Sequence, residues 1–286
     1  MEIDDRFPTK LDTIDDAPEP LRSALAKILP PETSIRLLVH APGFSTLDEK
    51  TPATVLAVTD SCWLVASELD ERSAIVETAR FSDTLFLELT SILLSSELKV
   101  YYAKDRGSAA AAVKYATVDE RYYLEALHLV LKGIDSGREI DTEKERDAAA
   151  LSATWPLKLR TEAERYRPKG QRLLTALHWS TIVGGFRREL VPAGALLITD
   201  RELVVITEEK QLPRQHTGDI HVFGGIITYF PRVRLADFSV SVHERFGILA
   251  LQVHAASGGE KLEIIFPADC KESVVKAMQA VLPLGN

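Results

Sequence analysis

Apolar and polar positions alternate with the period of strands along much of the chain, and the period turns helical in a few places. Residues 53–58 and 63–68 are short runs rich in β-branched and aromatic residues on either side of a polar Thr59-Asp60 turn, which predicts a hairpin. Leu85, Leu87 and Leu89 alternate, as do Phe238, Val240 and Val242, so each set predicts one face of a half-buried strand. Leu249, Leu251 and Val253, then Gly258-Gly259, then Leu262, Ile264 and Phe266 predict another hairpin. Tyr122, Tyr123, Ala126, Leu129 and Val130 form one stripe of a helix. Thr117 with Glu120, and Asp269 with Glu272, have capping-box spacing, and Gly133 and Gly285 would end the helices they start. Leu21, Leu25 and Ile28 predict a short amphipathic helix stopped by Pro30-Pro31 and packed on the first strands.

The pattern is written twice. Val58-Thr59-Asp60 matches Ile198-Thr199-Asp200 at an offset of 140 residues. After extra residues in the second copy the offset becomes 151, where Leu98, Val100 and Tyr102 match Leu249, Leu251 and Val253. The last helix fits best at 152, with Tyr122 and Tyr123 against Val274 and Val275. Each copy is the size of a small domain. In both, Asp after Thr is expected to hold the turn by accepting backbone amides. The segment between the copies is charged and Ala-rich, and it predicts a solvated helix over about 141–154 followed by an irregular connection. The chain therefore divides into an acidic tail (1–17), a first unit (18–134), a charged helical linker (135–165) and a second unit (166–286). Many short strands closed by one amphipathic helix predict an α+β fold, mainly β, with a bent antiparallel sheet or barrel plugged by the C-terminal helix in each unit.

Charge and cysteine usage narrow the function classes. The net charge of −8 over 286 residues argues against general nucleic-acid binding and against loose docking on an anionic membrane, although it leaves room for a local basic patch. Cys62 and Cys270 belong to no CxxC pair and are expected to be reduced structural thiols of a cytoplasmic protein. No signal-peptide core and no run of 18 apolar residues is present, so no transmembrane segment is expected.

"GALLITDRELVVITEE", then "VRLADFSVSVHERFGILALQVHAASGGEKLEIIF" and a closing helix, resembles the bacterial PH-like (pleckstrin-homology-like) family, including its GRAM-like and YokE-like domains. The second copy carries Thr199, Asp200, Arg201, Leu203, Phe246-Gly247 and Gly258-Gly259 in the family's order. The first keeps Thr59-Asp60, has Ser61-Cys62-Trp63 where the basic residue and Leu would lie, and lacks the Phe-Gly phrase. The resemblance implies two PH-like barrels in tandem, a non-catalytic binding role, and headgroups, peptides or proteins as ligands.

Headgroup binding needs several basic side chains converging on one loop. Arg187 and Arg188 of "GGFRREL" lie in the matching loop, and Arg232 and Arg234 alternate on what reads as one strand, pointing away from the core. The four are candidate ligand-binding residues on a basic face; the alternative is a solvated strand edge. The first copy's loop carries Lys50 against Asp48 and Glu49 and is unfit for phosphate. His216, Asp219 and His221 lie in the inserted loop at spacings unlike a structural zinc site, which leaves partner contact as the simplest role. His128 and His243 have no sequence-local nucleophile, and no Gly-x-Ser-x-Gly, P-loop or HExxH motif occurs. Trp63, Trp155 and Trp179 read as core or interdomain anchors. No catalytic residue, cofactor or metal is assigned. The leading expectation is an interaction protein that binds another protein or its own copies. The alternatives are a peripheral binder of anionic lipid headgroups and an enzyme with a site between the units.

Overall fold

A computed structural model describes residues 7–45, 50–92, 95–105, 107–135, 151–184, 189–211 and 222–282. The first half contains β1 (Thr9–Lys10), α1 (Leu21–Ala26), β2 (Ile35–Ala41), β3 (Phe44–Ser45), β4 (Lys50–Thr51), β5 (Thr54–Thr59), β6 (Cys62–Asp70), β7 (Ser73–Arg80), β8 (Thr84–Ile92), β9 (Ser95–Lys104), β10 (Gly107–Ala116) and α2 (Glu120–Ile134). The second contains α3 (Leu157–Tyr166), β11 (Leu173–Trp179), β12 (Ile182–Val183), β13 (Glu189–Val191), β14 (Gly194–Thr199), β15 (Glu202–Gln211), β16 (Val222–Pro231), β17 (Leu235–His243), β18 (Phe246–His254), β19 (Gly259–Pro267) and α4 (Lys271–Val281).

The fold is mainly β with a few helices. β1-β2-β5-β6-β7 form one antiparallel sheet, and β17-β18-β19 form another. A seven-stranded sheet ordered β10-β9-β8-β16-β15-β14-β11 crosses the midpoint of the sequence through the β8–β16 pair. Among the described residues no sheet closes into a barrel, contrary to the expectation of two closed units. The turn Phe81–Asp83 leads the chain away after β7, and the free edge of β8 is taken by β16 instead.

Strand registers recur between the halves. Val65 pairs with Glu77 as Val205 pairs with Thr228. Tyr102 pairs with Ala109 as Val253 pairs with Glu260. The pair β2–β5 has a bulge between Ile35 and Leu37, and β11–β14 has one between Leu173 and Thr175. Burial also corrects the helix match. Tyr123, Ala126, Leu127 and Val130 are buried in α2, and Val274, Ala277, Met278 and Val281 in α4, which is an offset of 151 rather than 152. A stripe of i, i+3, i+4 positions survives a slip of one residue, so sequence pattern alone misplaces it.

The seven-stranded sheet is covered on both faces, which is why its central strands read as unbroken apolar runs. Ala195, Leu197, Val204, Ile206, Ile227 and Tyr229 face one core, shared with α2 and α3. Leu196, Ile198, Leu203, Val205 and Phe230 face a second core with α4 and β17–β19. A third core lies beneath α1, where Leu21, Leu25 and Leu29 cover Val55, Ala57, Leu64 and Ala66. Leu29 is buried and Ile28 is 44% exposed, so the apolar face continues past the end of α1 through a different residue from the one expected.

Several local expectations change. A register shift between Thr84 and Phe86 takes Leu85 to the second core, away from Leu87 and Leu89. Neither α2 nor α4 has a side-chain N-cap hydrogen bond: Asp119 and Cys270 occupy the cap positions. Gly133 lies inside α2, where an added Cβ would run into the Phe81 ring, so close packing explains it. Gly285 and most of the expected linker helix lie outside the described residues; the stretch expected to be irregular contains α3. No helix among the described residues is long and apolar enough to cross a membrane.

Candidate functional site

The repeated Thr-Asp corner is held by threonine. Thr199 Oγ1 accepts the amides of Arg201 at 3.2 Å and Glu202 at 2.8 Å. Thr59 accepts those of Ser61 and Cys62 at 3.2 and 3.0 Å. The aspartates do something else. Asp200 accepts the Arg172 amide at 3.0 Å, and Asp60 pairs with Arg36 at the surface. The hydroxyl stands one residue closer to the strand end and reaches both amides first.

The two corners differ in the residues at their tips. Glu202 is 1% exposed, and burial pushes its carboxyl up to about 8. Arg201 pairs at 3.1 Å with Asp135, a buried residue at the end of α2. Beside them is a cavity of about 200 Å³ lined by His128, Lys132, Lys169, Gly170, Arg201 and Glu202. Burial, and then Lys169, lower the pKa of His128 and favour its neutral form. The volume is below that of a typical small-molecule site.

A larger cleft of about 470 Å³ lies between α3 and β16, lined by Lys158, Glu162, Arg165, Tyr166, Gly224 and Gly225. Its charges face one another. Lys158 lies 3.2 Å from Glu208 and 3.8 Å from Glu162. Arg165 pairs with Glu120 of α2, whose other oxygen accepts the Tyr166 hydroxyl at 3.0 Å. Tyr229 of β16 donates to Tyr166 O at 2.9 Å. Burial pushes Tyr166 up to about 12, so it stays a donor. Glu120 is 2% exposed, and this network joins α2, α3 and β16 across the two halves. Sequence reasoning assigns Glu120 to a cap; the available signal is its position on the apolar stripe, three residues before Tyr123.

Arg232 and Arg234 lie in the turn Arg232–Arg234, and not on a strand. Arg232 donates to Thr199 O and Asp200 O, both at 3.2 Å, and to Val281 O at the end of α4. Arg234 donates to Thr84 O at 2.9 Å and Phe81 O at 2.7 Å in the first half. Their guanidinium groups bind backbone carbonyls at the junction of elements. Arg187, Arg188, His216, Asp219 and His221 lie outside the described residues. Trp63 and Trp179 are core residues, and Trp155 packs near His178 in the core that both halves share. Cys62 and Cys270 are free thiols. Among the described residues no three His, Cys, Asp or Glu side chains are grouped to hold a metal.

β7 and β17 each end a sheet, with no strand on the outer side among the described residues. Ile75 on β7 is 50% exposed and Val242 on β17 is 38% exposed. Neither strand carries Lys or Pro, two residues that blunt edges against pairing. Their charges are Glu77 and Arg80 on β7 and Asp237 on β17, whereas β19, at the other end of the β17 sheet, carries Glu260, Lys261 and Glu263. β7 corresponds in register to β16, and β17 to β8.

No protein-family model matches the chain, and no curated protein matches it.

Proposed function

We propose that this chain is a non-catalytic interaction protein of two PH-like units, whose principal binding surface is the open edge of β7. One observation carries the reading. β7 and β16 occupy the same place in their halves, and β8 covers the edge of β16 while the edge of β7 has no strand on it among the described residues. An extended segment added there would satisfy the outward amides and carbonyls by main-chain hydrogen bonds. The larger cleft supports the non-catalytic part, because its Lys158 and Arg165 are paired with Glu208, Glu162 and Glu120. The free thiols suit a reducing, cytoplasmic setting. Anionic lipid contact through Arg232 and Arg234 is not favoured, since both guanidinium groups already serve carbonyls.

A photo-crosslinking residue tests this. Placed at Ile75 in the full chain, it should capture a discrete protein in cells; placed at Val118, which is 66% exposed on another surface, it should not. Equal capture from both positions, or none from Ile75, overturns the reading.

A further inference from the structure

The two open edges are counterparts of the two joined edges. Within the chain β8 pairs antiparallel with β16, from Tyr229 opposite Leu87 to Gly224 opposite Ile92. In register, β7 stands for β16 and β17 stands for β8. Each half thus offers one edge of each kind, and the chain uses one of each. Among the described residues β7 and β17 lack that neighbour, and they belong to two different sheets.

Resting on the reading of β7 as a binding edge, we infer that its partner is β17 of a second copy of this chain, so that the β8–β16 junction is repeated between molecules. Transferring the register sets Ser73 opposite His243, Ala74 opposite Val242, Ile75 opposite Ser241, Val76 opposite Val240, Glu77 opposite Ser239 and Thr78 opposite Phe238. Alternate pairs share a face. One face would join Ala74, Val76 and Thr78 to Val242, Val240 and Phe238. Ala74 and Val76 already pack on the core under α1, and Phe238 and Val240 on the core under α4, all only partly buried. Pairing would complete both cores, as Leu87 and Leu89 complete theirs against Tyr229 and Ile227. No like charges fall opposite one another.

The contact is heterologous, because the edge given differs from the edge received. Such contacts build rings or open chains, and not a two-fold dimer. Thr78, Val76 and Val240 are smaller than Tyr229, Ile227 and Leu89 at the matching places, so association is reversible and depends on concentration.

Sedimentation of the full chain over a wide concentration range tests this. The average mass of the wild type should rise with concentration. Thr78→Lys blocks β7 and Val242→Lys blocks β17, both at solvent-exposed positions, and each variant alone should stay monomeric. Mixed in equal amounts, they retain one complementary edge each and should form a dimer that grows no further, which also proves both variants folded. A wild type that is monomeric throughout overturns self-pairing; if Ile75 still captures another protein, the binding role of β7 stands without it. Association of either variant alone, or a mixture that stays monomeric while the wild type associates, also overturns it.

Discussion

β7 and β16 are the same strand in two settings. Both hang on the preceding strand in the same register, Cys62 against Arg80 and Glu202 against Pro231. β16 has a second neighbour, and its Ile227 and Tyr229 are fully buried; β7 has none among the described residues, and the counterparts Val76 and Thr78 are half-buried and exposed. The residues follow the setting: β16 is more apolar and carries Gly224 and Gly225, with Gly224 packed against Ile92 of β8. The comparison teaches that the halves are joined by main-chain pairing and then fixed by side chains that only one half carries at a given place. Glu202 stands where Cys62 stands, and Glu120 corresponds to the exposed Lys271.

The largest expected effect comes from Glu202. Its folded pKa is raised, from 4.5 to about 8, by burial. Between those values the folded protein keeps a proton that the unfolded chain has lost, so stability falls as pH rises through the window and levels off above it. Glu202→Gln has no proton to lose. The stability gap between the two should shift in favour of the Gln variant by up to ~1.4 kcal/mol per pH unit across the window, read by urea unfolding at a series of pH values. Parallel curves would remove the buried carboxyl from the account.

Next is Glu120→Ala, which strands the buried Tyr166 hydroxyl and frees Arg165 into a half-exposed setting. It should cost about 3 kcal/mol, while Lys271→Ala at the corresponding exposed position changes stability by less than ~0.5 kcal/mol. Equal effects would mean that the network joining α2, α3 and β16 is worth no more than a solvated surface charge.

Smaller again is the difference between the two final hairpins. Gly247 lies opposite Phe266, whose ring occupies the space of a Cβ, whereas Ser96 lies opposite Tyr115, which stacks on Tyr123 with ring centres 3.6 Å apart. Gly247→Ala should cost about 1–3 kcal/mol through overpacking. Ser96→Ala should cost ~1 kcal/mol or less, the loss of its hydroxyl contact with Thr117 at 2.9 Å. Thermal unfolding of the two variants measures the contrast.

Much of the fold is legible in the sequence because strand period and turn chemistry are local. The runs around Thr59 and Thr199 mark their hairpins, and the repeat offsets reappear as pairing registers. What is not legible is what depends on a distant partner. Nothing near Leu87 or Tyr229 says that they face each other across roughly half the chain. α3 reads as an irregular connection because Pro156 and Pro168 flank it, yet Leu159, Ala163 and Tyr166 bury a clear stripe. Arg232 and Arg234 alternate like strand residues, but the chain turns there and their guanidinium groups find carbonyls of other elements. The candidate edges are invisible for the same reason: a strand is an edge only with respect to the whole sheet.

Residue-resolved hydrogen exchange on dilute, monomeric protein tests the joined-and-open pair of edges most directly. A strand with neighbours on both sides protects successive amides, and an edge strand protects alternate ones. The account predicts slow exchange at successive amides of Gly224–Tyr229, and at Ser73–Thr78 an alternation of slow with fast. Alternating protection in both segments would contradict the shared sheet, and continuous protection in both would contradict the open edge.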